Sequence, residues 1–266
     1  MVLLATSDLH GTLPDLLSCA LARGHGGAAV LLAGDLLNLF GQDAPDEQAQ
    51  AMTAWLQGLA SQVPVVACSG NHDVGSVYGA GWLQRAAETM LPAGRLFTDG
   101  SHAIIEGLVV TAVPYWNLFE RGVAHQDWLR SQAQDLWRQG RQLADRHHLP
   151  WAVLHHEPPA GLAVAAGVEV EEPDRGAPPH GWCRHWIELY RPDYVFSGHL
   201  HQAPLSPGGS WAARVPDTGT WCFNPGRIGQ GSGLIALDAE RRVARWFTSW
   251  NDEACQSLKL GPVGVI

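Results

Sequence analysis

Five short apolar stretches of this chain are each followed, within a few residues, by aspartate, asparagine or histidine. The stretches are Val2–Thr6, Ala29–Ala33, 63–68, 151–154 and 193–196, and the residues after them are Asp8 with His10, Asp35, Asn71 with His72, His155 with His156, and His199 with His201. Short apolar runs of this kind predict buried strands. Open α/β sheets carry their sites at the carboxyl ends of the strands. The sequence therefore predicts a sheet edge where carboxylate, amide and imidazole ligands of a metal meet.

Helical spacing of apolar residues separates these strands. It predicts helices over 12–23, 46–62, 82–90, 126–147 and 183–190. The β-α-β-α-β order at the start of the chain predicts parallel strands joined by right-handed crossovers. Residues 102–113 read as a hairpin that turns at Glu106 and Gly107 and begins a second sheet.

The last third of the chain alternates strands and turns. Strands are predicted over 220–223, 233–237 and 242–247, and we expect them to add antiparallel strands to the second sheet. The segment 157–182 is rich in Pro, Gly, Ala and Glu, which favours a lid loop, and the tail 250–266 has little pattern. We expect one domain over residues 1–266, because no linker divides the chain.

Charge and composition limit the partners and the compartment. The net charge is −9 with 17 Lys and Arg residues, which argues against long nucleic-acid tracks but not against a small anion held by metal ions. The five cysteines are scattered without CxxC spacing, which favours reduced thiols of a cytoplasmic protein. Residues 2–6 lead straight into a polar motif, so they predict a strand and not a signal peptide. No apolar run reaches the ~20 residues of a membrane span.

The candidate ligands form two mixed nitrogen and oxygen sets. Asp8 and His10 are two residues apart, so both can reach one ion, and His199 and His201 repeat this spacing. Asp35 has two oxygens and can bridge two ions, Asn71 offers a neutral oxygen to the second ion, and His156 adds a further nitrogen. Such ligands suit Mn, Fe or Zn better than Mg or Ca. His155 competes with His156 as a ligand.

In this order the motifs resemble the calcineurin-like metallophosphoesterase superfamily. The matching residues are Asp8-x-His10, Gly34-Asp35, Gly70-Asn71-His72-Asp73, His156-x-Pro158, Gly198-His199-x-His201 and Asn224-Pro225-Gly226. The resemblance implies a four-layer α/β/β/α sandwich of two mixed sheets flanked by helices, with a dinuclear metal site at the strand ends. One ion would take Asp8, His10, Asp35 and His201. The other would take Asp35, Asn71, His156 and His199.

The same resemblance implies a mechanism. A hydroxide that bridges the two metals would attack phosphorus, and His72 would protonate the leaving oxygen as general acid. Asp35 and Asn71 would act with His72 in catalysis, and Asn71 would also contact the substrate. The family often has aspartate three residues after the bridging aspartate, where Asn38 stands here. An amide cannot stabilise a cationic ring as a carboxylate does, so support for His72 could come from Asp73 instead.

The expected substrate is a small phosphate ester. Residues 36–40 lack both the Asp-Arg-Gly of protein phosphatases and the tyrosine ligand of purple acid phosphatases, which favours a phosphodiesterase over a phosphomonoesterase. Arg227 could hold a phosphate oxygen, and Tyr115, Trp116, Asn117 and Phe119 could form an apolar wall or pack at a sheet edge. A nuclease acting on nucleic-acid ends is a second reading that the acidic charge disfavours. A non-catalytic scaffold, as in the retromer subunit of this superfamily, is disfavoured because His72 and every ligand position are filled.

Overall fold

The computed structural model describes residues 2–22, 29–38, 45–74, 81–89, 94–115, 123–166, 179–228, 231–248 and 256–261. Within them, two mixed β-sheets pack face to face. The first has the strand order β15-β14-β13-β1-β2-β3-β4. Its strands are β1 (Val2–Thr6), β2 (Ala29–Ala33), β3 (Val65–Cys68), β4 (Leu96–Phe97), β13 (Leu234–Asp238), β14 (Val243–Phe247) and β15 (Gln256–Lys259).

The second sheet has the order β5-β6-β7-β8-β10-β9. Its strands are β5 (His102–Ile105), β6 (Leu108–Val113), β7 (Trp151–His155), β8 (Tyr194–Phe196), β9 (Ala212–Arg214) and β10 (Trp221–Phe223). Two short strands, β11 (Arg227–Ile228) and β12 (Gly231–Ser232), pair separately. Strands β1 to β4 are parallel, as are β6, β7, β8 and β10.

Six α-helices are described. They are α1 (Asp15–Ala22), α2 (Pro45–Ala60), α3 (Asn71–Val74), α4 (Gly81–Glu88), α5 (Val123–His147) and α6 (Pro179–Tyr190). Among the described residues, no helix combines the length and hydrophobicity that crossing a bilayer requires.

Three apolar clusters explain the order of the layers. Between the sheets, Leu3 and Leu31 of the first meet Leu154 and Phe196 of the second. Because side chains alternate along a strand, Leu4 points the other way and packs with α1, α2 and α4. On the far side, the second sheet packs with α5 and α6, including the buried Trp137 and Trp186. The layers are therefore α/β/β/α, as the resemblance implies.

Most predicted elements are confirmed, and the hairpin at Glu106 and Gly107 lies where it was expected. The placement of the late strands was wrong. Strands β13 and β14 join the first sheet through β1, and only β10 joins the second, parallel to β8. An alternating pattern identifies a strand but not its partner, and β1 still offered a free edge for pairing. Part of the tail also forms an edge strand, because 256–259 pairs with β14.

The predicted lid is packed at both of its ends. Glu157, Pro158 and Pro159 are buried, Val164 is fully buried in the cluster beside α5, and α6 already begins at Pro179. The middle of the segment, 167–178, lies outside the described residues. The four cysteines within those residues, Cys19, Cys68, Cys183 and Cys222, are unpaired thiols.

Candidate metal centre

The loops after β1, β2, β3, β7 and β8 meet at one end of the sandwich. The loops after β1 and β2 continue the backbone pairing of their strands. The backbone N–H of Asp8 donates to Gly34 O at 3.0 Å, and the backbone N–H of His10 donates to Asp35 O at 2.9 Å. Asp8, His10, Asp35 and His199 all have left-handed backbone conformations, with φ between 48° and 66°. Non-glycine residues seldom adopt this conformation, and such strain is concentrated at functional sites. Four of the predicted ligands are therefore held in conformations that the surrounding fold must enforce.

Asp35 lies at the centre of the arrangement and is 2% exposed. Its Oδ1 accepts a hydrogen bond from the backbone N–H of His72 at 2.8 Å. Its Oδ2 lies 3.2 Å from His156 Nε2 and 3.9 Å from His10 Nε2. One carboxylate oxygen thus faces an imidazole from each of the two predicted ligand sets.

The first set consists of Asp8, His10, Asp35 and His201. One ligand atom from each lies within 4.8 Å of the others, which is close enough to surround a single ion. His201 Nε2 lies 3.3 Å from Asp8 Oδ1 and 3.0 Å from His10 Nε2. The Nε2 atoms of His10 and His201 face each other, and a proton or a cation between them would make this contact favourable.

The second set consists of Asp35, His156 and His199, with Asn71 beside them. His156 Nδ1 donates to the carbonyl of Ala33 at 2.8 Å, so its Nε2 faces Asn71 Oδ1 at 3.1 Å as well as Asp35. His199 Nδ1 approaches the same Asn71 oxygen at 2.8 Å. Two oxygens and a ring nitrogen converge here, and only a proton on that nitrogen or a cation would make their contacts favourable. The donor set therefore fits a metal ion.

His155, the last residue of β7, and His156, the residue after it, point in different directions. His156 is 1% exposed and lies in the second set, whereas His155 Nδ1 bonds to Glu157 O at 3.0 Å. The ring of His155 packs against Trp186 with centroids 6.4 Å apart, on the side of α6. The geometry thus brings His156, and not His155, to the other candidate ligands.

The charges of the set follow from burial and from close neighbours. Burial alone would raise the pKa of Asp8 and of Asp35. The neighbouring His201 outweighs burial at Asp8, and His156 outweighs it at Asp35, so the pKa of each carboxyl group lies below its usual range. Burial lowers the pKa of His10 to about 4 despite the two carboxylates nearby. Burial would also lower the pKa of His156, yet Asp35 raises it to about 10. Without an ion, a proton on His156 supplies positive charge at this point.

His72 lies beside the first set. Its ring meets that of His10 edge-on, with centroids 4.5 Å apart. The Asp73 carboxylate next to it accepts bonds from the backbone N–H groups of Gly70, Leu36 and Leu37 at 2.8 to 3.2 Å. Asp73 therefore ties the loop after β2 to the loop after β3. The backbone N–H of Asn38 donates to Gln48 Oε1. Support of His72 by the side chain of Asn38 or of Asp73 stays a prediction.

The two predicted substrate contacts also lie beside the centre. Arg227 Nη1 donates to the carbonyl of Asp8 at 2.9 Å, and the guanidinium is close enough to help lower the pKa of His10. Tyr115 is partly buried, and its ring is edge-on to that of His156 with centroids 5.9 Å apart. Trp116, Asn117 and Phe119 lie outside the described residues.

Sequence reasoning did not single out Ser7 or Glu157, and it named Asn224 only as part of the Asn-Pro-Gly motif. Ser7 donates to Asp8 Oδ2 at 2.5 Å, and Asn224 is fully buried while its Nδ2 donates to Leu200 O, between the two histidines of the last motif. Glu157 is 4% exposed although it carries a carboxyl group. Its position directly after His156 was the one signal in the sequence that could have identified it.

Two solved structures with TM-scores above 0.5 share this architecture. Among curated proteins no sequence matches the chain. One solved structure shares 13% identity over 98% of this chain and 99% of its own, with a TM-score of 0.57. A putative 5'-nucleotidase from Staphylococcus aureus shares 12% identity over all of this chain, with a TM-score of 0.52. The chain spans about half of that protein, or 55% of its length. Vps29 from Entamoeba histolytica, solved with zinc, shares 10% identity over 98% of this chain and 100% of its own, with a TM-score of 0.38.

At these identities, the two solved structures with TM-scores above 0.5 indicate the fold alone. The sequence profile of the calcineurin-like phosphoesterases matches residues 1–203, about three quarters of the chain. The Asp and His residues that cluster at the strand ends all fall within that match. The family match and the cluster each point to divalent metal ions. This chain belongs to the calcineurin-like phosphoesterase family.

Proposed function

We propose that this protein hydrolyses a small phosphodiester with two transition-metal ions. The observation that carries the proposal is the position of Asp35 Oδ2, which faces His10 and His156 and so can serve both ligand sets. In the proposed assignment, one ion is held by Asp8, His10, Asp35 and His201, and the other by Asp35, Asn71, His156 and His199. Manganese, iron and zinc suit these nitrogen and oxygen donors.

When bound, a pair of ions supplies a clamp for the phosphoryl group and lowers the pKa of bound water. The protein would contribute the leaving-group proton through His72, whose backbone is anchored on Asp35 and whose ring packs on His10. Asn71 and Arg227 would contact the phosphate oxygens. The bond from Arg227 to the Asp8 carbonyl supports this, because it fixes a positive charge beside the first set.

Preference for a diester rests on the residues directly after Gly34 and Asp35. Leu36, Leu37 and Asn38 supply neither the arginine of protein phosphatases nor a tyrosine ligand. A phosphomonoesterase is the competing assignment, because the staphylococcal protein of similar fold is named as a 5'-nucleotidase. We also propose a cytoplasmic location, supported by the four unpaired thiols.

The test compares an aryl phosphodiester with the corresponding aryl phosphomonoester after the protein is loaded with Mn²⁺. Asp35→Ala is the blank, because it removes the shared ligand. Faster hydrolysis of the diester by the parent protein alone would support the proposal. Faster hydrolysis of the monoester would overturn the diester preference, and no hydrolysis of either ester would overturn the enzymatic assignment.

A further inference from the structure

Asn224 is a fully buried amide that directly follows β10. Its Oδ1 accepts the backbone N–H of Gly226 at 2.9 Å, which identifies the other end of the amide as the nitrogen. That nitrogen, Nδ2, donates to Leu200 O at 3.2 Å and to Val164 O at 3.1 Å. One buried side chain thus joins the turn after β10 to two segments of backbone that are distant in the sequence.

The first of these segments carries two predicted ligands. Leu200 lies between His199 of the second set and His201 of the first. The loop is tightly bent, because His199 has a left-handed φ of 66° and the N–H of Leu200 donates to Gly198 O at 2.7 Å. Conformations of this kind persist only where the surrounding structure enforces them. The bond from Asn224 to the Leu200 carbonyl therefore helps to hold the loop in this bend.

The turn that begins at Asn224 also packs directly on the histidine loop. The backbone N–H of Arg227 donates to His201 O at 3.0 Å, and the Arg227 guanidinium donates to the carbonyl of Asp8 at 2.9 Å. A β-carbon on Gly226, whose φ is +67°, would lie 2.9 Å from the same His201 O. Asn224 therefore lies where the backbone that carries both ligand histidines meets the backbone that carries Arg227.

We propose that Asn224 is a positioning residue that holds the loop of His199 and His201 against the turn of Arg227. Because His199 belongs to the second ligand set and His201 to the first, loss of the amide should disturb both sets together. The inference rests on the proposed function, since it assumes that cations occupy the two sets. Loss of an outer-shell partner typically lowers metal affinity by about 10–100-fold.

Asn224→Ala tests the proposal, because it removes the bonds of the side chain to Leu200, Val164 and Gly226. Mn²⁺ and Zn²⁺ binding would be measured by competition with a chelator. Both ions should bind more weakly, by about 10-fold or more. In the metal-free protein, amide hydrogen exchange should become faster in the peptide 197–203, because the loop opens more readily.

Thr220→Val is a matched control for the loss of a buried hydrogen bond. Thr220 is also fully buried, and its Oγ1 donates to Pro192 O at 2.6 Å. It precedes β10, whereas Asn224 follows the same strand, so it lies at the end that is remote from the centre. The control should leave both metal affinities and the exchange of 197–203 unchanged.

Gly226→Ala tests the same contact with the Asn224 side chain in place, and it serves also if Asn224→Ala does not fold. The added carbon would press on His201 O, so this variant too should weaken both ions. Gly208→Ala controls for backbone strain, because Gly208 has a φ of +75° and nothing lies within 4 Å of its added carbon.

Unchanged affinities in the variants of Asn224 and Gly226, or weakening of one ion alone, would overturn the inference. Equal losses in the two controls would overturn it as well, because any buried bond or strained glycine would then have the same effect. A parent protein that binds no metal would instead overturn the proposed function. The exchange of 197–203 would then decide on its own whether Asn224 holds the histidine loop.

Discussion

Asp35 Oδ2 lies 3.2 Å from His156 Nε2, and the contact joins the two sheets of the sandwich. Asp35 follows β2 in the first sheet, and His156 follows β7 in the second. The same histidine donates its other nitrogen to the carbonyl of Ala33, the last residue of β2. The candidate centre is therefore built across the sheet interface, and its geometry depends on how the sheets pack.

Asp35→Asn should remove both ions. An amide keeps an oxygen for the His72 amide but loses the negative charge that both sets share. We expect a loss of activity larger than the about 10–100-fold caused by losing an outer-shell partner, together with loss of metal after dialysis. Elemental analysis and the rate on an aryl diester measure both effects. Asp217→Asn, at an exposed turn, is the control, and a variant that retained two ions would contradict the bridging role.

His72→Ala should leave the metal content intact and slow the reaction in a way that depends on the leaving group. A general acid contributes about 10²–10⁴-fold when the leaving oxygen needs a proton, and little when it leaves easily. The rate on an alkyl ester should therefore fall far more than the rate on a nitrophenyl ester. If both esters slowed by the same factor, His72 would have another role.

The sequence predicted which strands end at the centre because their evidence is local. Val2–Thr6 and Ala29–Ala33 are uninterrupted apolar runs, buried on both faces in the structure, and the chelating residues follow at once. Strand partners depend on distant segments, which is why β13 and β14 were assigned to the wrong sheet. Glu157 was missed for a related reason. Its burial arises only when β6 and β7 pair and the second sheet forms.

Gly70→Ala should disrupt the centre without a new charge. A β-carbon at residue 70 would lie 2.2 Å from Asp35 Oδ1 and 2.4 Å from Asp35 N, so the ligand or the loop must move. We expect loss of metal and of activity with the fold retained, as seen by circular dichroism. Gly58→Ala is a matched control, because nothing lies within 4 Å of its added carbon and it is in helix α2. The control should gain about 0.5–1 kcal/mol of stability. Normal metal binding by Gly70→Ala would contradict the close packing of residue 70 on Asp35.

Asp99 should make the metal-free protein less stable as the pH rises. It is 7% exposed, its Oδ1 accepts the amide of Ser69 at 2.8 Å, and within the described residues its Oδ2 has no hydrogen-bond partner. Burial raises the pKa of Asp99 to about 6 from 3.8, although the bonds to Ser69 oppose the shift.

The folded state therefore holds this proton more tightly than the unfolded state. The stabilisation is complete below pH 3.8 and is lost as the pH rises to about 6. Two pKa units correspond to at most about 3 kcal/mol. Asp99→Asn should remove this slope, so the difference in unfolding free energy between parent and variant should change between pH 4 and pH 6.5. Urea unfolding in the presence of a chelator measures the difference. A constant difference across that range would mean that Asp99 has an ordinary pKa, and that the loop before Asn71 tolerates its charge.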